Sequence, residues 1–177
     1  MKHVYLCRST SYSCGFELNS EVCAFKQSAN DQFDWSRNSG DTSTLYTGPS
    51  AAAEGTYYIY TEVNSKVPLD KAILTTEATN LQACPYCLSF KYHMRGSNIR
   101  TLEVFAGDKT SLPFLTSIWE KRGQQTTDPA KWDTGTIDIP QYSNLVVTIV
   151  GSCGFGPRGD IAIDDILLKT GACNAGE

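Results

Sequence analysis

The segment Gly159-Asp160-Ile161-Ala162-Ile163-Asp164-Asp165-Ile166-Leu167-Leu168 is an apolar, isoleucine-rich run interrupted by two adjacent carboxylates. Its composition suits a strand, and two-residue alternation puts Ala162, Asp164, Ile166 and Leu168 on one face. Asp164 then lies in line with core side chains, where an ionised carboxylate needs a cation or several hydrogen-bond donors. The run therefore predicts a buried strand and marks Asp164 as a candidate metal or network residue.

Further strands read the same way. Thr56–Val63, Cys87–Met94, Thr101–Phe105, Thr136–Ile139 and Leu145–Val150 are short, alternating and rich in β-branched and aromatic residues. Arg95-Gly96-Ser97-Asn98 and Ala106-Gly107-Asp108-Lys109 break neighbouring strands at hairpin-like distances. No window sustains a helical apolar period over three turns, which confines helix to single turns. The expected class is all-β, a sandwich or jelly roll that buries one face of each sheet.

A chain of 177 residues with regular Gly, Pro, Ser and Asn punctuation and no linker reads as one domain. The formal charge of -4 is spread along the sequence, without the basic cluster that nucleic acid or an anionic membrane surface would require. No apolar run is long enough to span a bilayer, and Met1-Lys2-His3-Val4 lacks the apolar core of a signal peptide. If the protein is secreted, this is expected to be a mature or excised form.

Seven cysteines in so short a chain point to an oxidising compartment and a disulfide framework of at most three internal bridges. Cys84-Pro85-Tyr86-Cys87 could also be half a zinc site or a redox pair. Zinc would need a second such pair or suitably spaced histidines, and only His3 and His93 exist; a redox pair would need a βαβ setting.

The residues then resemble a known family in order. Cys14-Gly15-Phe16-Glu17, Cys23-Ala24-Phe25-Lys26-Gln27 and Asp31-Gln32-Phe33-Asp34-Trp35-Ser36-Arg37 resemble the opening of a MAM domain, the extracellular module of meprins, neuropilins and receptor-type tyrosine phosphatases. Thr47-Gly48-Pro49, Gly55-to-Glu62, Cys87-to-Gly96, Leu102-Glu103-Val104, Trp119, Gly123-Gln124-Gln125, Trp132 and the closing Gly159-to-Ile166 run with Cys173 follow. The resemblance covers 14–173, leaving 1–13 as an N-terminal extension and 174–177 as a tail.

It implies a jelly-roll sandwich of two antiparallel sheets, with Cys14 bridged to Cys23 and Cys87 to Cys173. Cys84 and Cys153, beside strand ends, are expected to pair, leaving Cys7 free or linking two chains; Cys7–Cys153 and Cys7–Cys84 are alternatives that spacing leaves open. Where many members carry Asp-His-Thr after the Gly-Pro step, this chain has Ser50-Ala51-Ala52-Ala53, losing a carboxylate from that loop. Every Asn also fails the glycosylation sequon.

No catalytic set emerges. Neither histidine is placed as a base, and Asp164 and Asp165, on opposite strand faces, cannot flank one bond. Glu17, Asp34 and Asp164, with carbonyls between Gly48 and Glu54, form an oxygen set suited to structural Ca²⁺ or Na⁺. The competing reading has Glu17 and Asp164 capping backbone amides or pairing with Arg37 or Arg158. Phe33, Trp35, Phe90, Tyr92, Phe105, Trp119 and Trp132 read as core, while at least one of Tyr57, Tyr58 and Tyr60 should reach solvent. The sequence thus predicts a non-catalytic extracellular interaction module for adhesion, oligomerisation or assembly of a larger receptor, protease or matrix protein. Its partner would be a protein, a second copy included; the alternative is a carbohydrate-binding module with a glycan ligand.

Overall fold

The computed structural model describes residues 6–18 and 23–174. Among these residues eleven strands build two antiparallel sheets. They are β1 (Ser11–Cys14), β2 (Lys26–Gln27), β3 (Ser36–Asn38), β4 (Tyr58–Tyr60), β5 (Lys71–Thr75), β6 (Tyr86–Met94), β7 (Thr101–Asp108), β8 (Thr116–Arg122), β9 (Asp133–Ile139), β10 (Leu145–Ser152) and β11 (Ile161–Thr170). One sheet runs β3-β4-β11-β6-β9, with β1 also on β11; the other runs β2-β5-β10-β7-β8. Among the described residues the one helical element is a 3₁₀ turn, Lys109–Ser111, and no helix is long and apolar enough to cross a membrane. The fold is the jelly-roll sandwich expected.

Alternation places the core between the sheets. Leu88, Phe90, Tyr92 and Met94 of β6 meet Val147 and Ile149 of β10 and Leu102 and Val104 of β7 in one buried cluster. Trp119 packs edge-on against Phe90 and Tyr92, with ring centroids 5.2 and 5.3 Å apart.

Four expectations change. In β11 the period-two reading fails at its centre, because a bulge lies between Asp164 and Leu167 and Asp165 takes φ 46°. Ile161 and Ile163 face the core before the bulge, and Ile166 and Leu168 after it. Ala162 and Asp164 therefore point away from the core, not in line with Ile166 and Leu168. Arg95–Asn98 makes no hairpin: β6 and β7 lie in different sheets, and the expected break at Ala106–Lys109 is largely the continuing end of β7. Phe105 faces outward, because its neighbours Val104 and Ala106 take the inner face. Trp132 likewise packs on the outer side, against Tyr58.

The third bridge also differs. Cys14–Cys23 and Cys87–Cys173 are present, but Cys7 pairs with Cys84, and Cys153 is a buried free thiol. Cys84 precedes β6, whereas Cys153 follows β10 beside the loop that leaves β6 at its far end. The nine residues of β6 span about 30 Å at roughly 3.3 Å each, far beyond a disulfide's reach. Cys7 is brought to Cys84 because Arg8 and Thr10 run beside Gln82 and Thr170. With Cys7 bridged and burial pushing the Cys153 thiol up to about 11, no exposed thiol is left to link two chains.

Candidate functional site

The outer face of the six-stranded sheet carries Tyr58 and Tyr60 on β4, Ala162 and Asp164 on β11, and His93 on β6. The long β3–β4 connection folds over this face. Ala52 packs on the Tyr58, Tyr60 and Ala162 cluster, and the indole N–H of Trp132 donates to the Ala51 carbonyl at 3.1 Å. Small side chains at Ser50–Ala53 let that backbone lie against the sheet, and apart from the Ser50 hydroxyl, which donates to the Pro129 carbonyl at 3.3 Å, the polar contacts here come from the main chain.

Two carboxylates hold the connection. Asp164 Oδ2 accepts the amides of Ala53 at 2.9 Å and Glu54 at 3.2 Å, and its Oδ1 accepts Asp165 N–H at 2.7 Å. Glu17 Oε1 accepts the amides of Thr56 at 2.8 Å and Tyr57 at 2.9 Å. Glu17 is not on a strand; it follows β1, whose Cys14 sits opposite Ile166, and that pairing brings it near Asp164. The amides draw the Glu17 carboxyl below its ordinary range, whereas burial pushes Asp164 up to about 6 against its three amide donors. Asp34 is exposed and lies beside Asp31, whose carboxyl it helps to raise after burial, the larger cause.

Among the described residues no group of three or more His, Cys, Asp or Glu side chains converges as a metal-ligand set. Glu17 Oε1 and both oxygens of Asp164 accept main-chain amides, which is the capping arrangement that competes with an oxygen cage. The turn between them depends on Gly55, with φ 64°, where a Cβ would fall 2.4 Å from Glu17 Oε1. Gly55→Ala is expected to cost about 1–3 kcal/mol of stability through backbone strain and the displaced carboxylate, read from urea denaturation.

Asp160 is the residue that sequence reading missed. It is fully buried, its Oδ1 accepts Val63 N–H at 3.3 Å, and its Oδ2 has no hydrogen bond. Burial pushes its carboxyl up to about 7; the Val63 amide offsets this in part and the adjacent Thr42 hydroxyl less, being committed to the Thr47 carbonyl at 3.1 Å. The alternation that singled out Asp164 also puts Asp160 and Ala162 on its face, a signal that was available. His93 is buried as well, its Nε2 3.2 Å from the Asp128 carbonyl and its ring 5.5 Å from Trp132; burial pushes it down to about 4, so it stays neutral. The exposed tyrosine is Tyr57, half-buried with the Arg37 guanidinium 3.4 Å over its ring; Tyr58 and Tyr60 are buried.

The end of the sandwich above Asp160 gathers exposed apolar side chains. Leu45 and Tyr46 on the β3–β4 connection, Val67 and Leu69 on the β4–β5 connection and Phe155 on the β10–β11 connection are all more than half exposed. Hydrogen bonds lock these loops together: Gly48 N–H to the Arg95 carbonyl (3.1 Å), Leu69 N–H to the Cys153 carbonyl (3.0 Å), and Asn98 Nδ2 to the Phe155 carbonyl (3.2 Å). The Arg158 guanidinium lies 5.2 Å over the Tyr46 ring.

Comparison with known proteins agrees with this fold. The MAM domain profile (meprin/A5/mu) matches residues 14–174. MAM domain-containing glycosylphosphatidylinositol anchor protein 1 of Gallus gallus is 33% identical over 172 residues, 93% of this chain and 18% of that protein. Thyroid hormone-induced protein B of Xenopus laevis is 32% identical over 163 residues, 91% of this chain and 23% of that protein. The chain thus spans about a fifth of the relatives it matches. Among solved structures, the K2 cleaved adhesin domain of Lys-gingipain superposes with TM-score 0.64 at 14% identity, covering 91% of this chain and 98% of that one. A CBM22-1 xylan-binding domain from Paenibacillus barcinonensis gives 0.52 at 9% identity, covering 91% and 94%; both likenesses concern the fold alone. The profile match over residues 14–174, together with relatives above 30% identity and the disulfide-stapled jelly roll, makes this chain an extracellular domain of the MAM family.

Proposed function

We propose that this domain is a non-catalytic recognition module that binds a protein partner through its locked loop end, and that the partner tested first should be a second copy. The observation that supports this reading is the set of exposed apolar side chains there. Five of the eight exposed large apolar residues among those described, Leu45, Tyr46, Val67, Leu69 and Phe155, sit on three loops joined by main-chain and side-chain hydrogen bonds. Interfaces draw their energy from such aromatic and aliphatic anchors held in a preorganised frame. Arg158 beside Tyr46 supplies the polar element that fixes register.

Beads coated with the protein test the reading. Aggregation that Tyr46→Ser together with Phe155→Ser abolishes is the expected result. Aggregation unchanged by the two substitutions would move the binding surface elsewhere. Beads that stay dispersed, together with sedimentation as a monomer at every concentration, would exclude the second copy and transfer the test to a panel of ectodomains with the same variants.

The carboxylate clasp, rather than a cation, is proposed to fix the β3–β4 connection. The melting midpoint is expected to be the same in EDTA and in millimolar CaCl₂. A midpoint that falls in EDTA and recovers with Ca²⁺ would give Glu17 or Asp164 a ligand's role instead.

A further inference from the structure

On the side of the molecule away from the carboxylate clasp, the outer face of the five-stranded sheet forms a trough of about 460 Å³. Its floor follows from strand register. Thr148 of β10 lies between Thr75 of β5 and Phe105 of β7, and Val150 lies beside Ile73 of β5. One wall is the β2–β3 connection, with Ser28 and Asn30 facing in; the other is the β7–β8 connection, with Leu112, Pro113 and Leu115. Leu115 can lie over the sheet because Gly107 has no side chain: a Cβ there would stand 3.0 Å from the Leu115 side chain. Lys71 and Glu77, both exposed, are the charged residues of the lining.

We propose that this trough is a binding site for a neutral oligosaccharide. Three features select that ligand class. The first is the mixed lining: an aromatic ring and aliphatic floor for the C–H face of a sugar, with hydroxyl, amide, ammonium and carboxylate groups placed around it for the sugar hydroxyls. Phe105 is the one aromatic among the lining residues and turns outward, which core packing does not explain. The second is charge, since the lining carries one ammonium, Lys71, and one carboxylate, Glu77, and favours neither an anionic nor a cationic ligand. The third is the absence of backbone valence in the floor. β10 is paired on both sides, and on β5 the amides of Ile73 and Lys71 are taken by Asp31 Oδ2 at 2.7 Å and Gln32 Oε1 at 3.0 Å. An extended peptide, which docks on a sheet by adding a strand, finds no partners here, whereas a sugar binds through side chains.

The test is a neutral hexasaccharide panel of gluco-, xylo-, manno- and galacto-configured chains, screened by ¹⁵N–¹H chemical-shift mapping on the whole domain. Binding should perturb amides of β5, β10 and the 112–115 loop. Phe105→Ala should weaken it about tenfold, a loss typical of one stacked ring. Asn30→Trp, on an exposed wall residue and remote from the core, should block the trough while leaving the melting midpoint unchanged. No shift with any hexasaccharide at millimolar concentration overturns the proposal. So does binding that maps elsewhere, or that survives both substitutions, or displacement by anionic but not neutral glycans.

Discussion

Replacing Cys87 and Cys173 with serine is expected to lower the thermal midpoint by roughly 10–15 °C, more than the loss from replacing Cys14 and Cys23. Chain entropy of the unfolded state sets the order. The first bridge joins residues 86 apart in sequence and the second residues only 9 apart. Loop closure then gives about 4–5 kcal/mol for the long bridge and about 2.5–3 kcal/mol for the short one. For a chain of 177 residues, each kcal/mol shifts the midpoint by about 2–4 °C. The folded state should change little, because Cys87 already sits opposite Lys169 in the β6–β11 ladder and Cys173 N–H donates to Asp138 Oδ1 at 2.7 Å. Calorimetry of the two double variants measures the order directly. Equal losses would mean that the bridges act on the native state, by holding the β1–β11 and β6–β11 pairings, and not through the unfolded chain.

The strands and the features beyond them were legible to different degrees for a physical reason. Alternation and β-branched composition are local, and they located β6, β7, β9, β10 and β11 to within a few residues. The short strands β2 and β3, two and three residues long, carry no period of their own and exist because β5 and β4 present ladders to them. The bulge at Asp164–Asp165 was hidden for the same reason: it is a mismatch between β11 and β6, visible only when both strands are in register. Phe105 shows the opposite failure. Its strand's own alternation puts it outside, since Leu102, Val104 and Ala106 are inside, so an aromatic on a strand is not by that alone a core residue. The Cys7–Cys84 bridge depends on where the N-terminal segment runs along β11, which no spacing encodes. The carboxylate clasp was half legible. Buried Asp164 announced a need for donors; that the donors are the amides of Ala53, Glu54 and Asp165 followed only from the loop laid over the sheet.

Asp160 gives the sharpest pH dependence to expect. In the folded protein it holds its proton to about pH 7, whereas the unfolded chain releases it near 3.8. Between those values the folded state binds the extra proton, so stability present below the unfolded pKa is lost as pH rises through the folded one. Asp164, raised to about 6, acts in the same sense; His93, lowered to about 4 from 6.5, acts in the opposite sense and removes stability as pH falls through that window. A shift of about three pH units corresponds to at most about 4 kcal/mol for Asp160. Its surroundings compensate only in part: the Val63 amide and the Thr42 hydroxyl favour the carboxylate, whereas Glu62 adds negative charge on one side, and the hydroxyls of Tyr58 and Tyr60, raised mainly by burial, feel Asp160 in turn. Asp160→Asn removes the proton and its linkage while keeping an oxygen for Val63 N–H. Its stability relative to the unsubstituted protein should therefore improve by about 2–4 kcal/mol between pH 5 and pH 8, measured by urea denaturation at both values. A substitution that costs the same at both pH values would show that Asp160 is already ionised at pH 5, and so has a positive partner at its bare Oδ2.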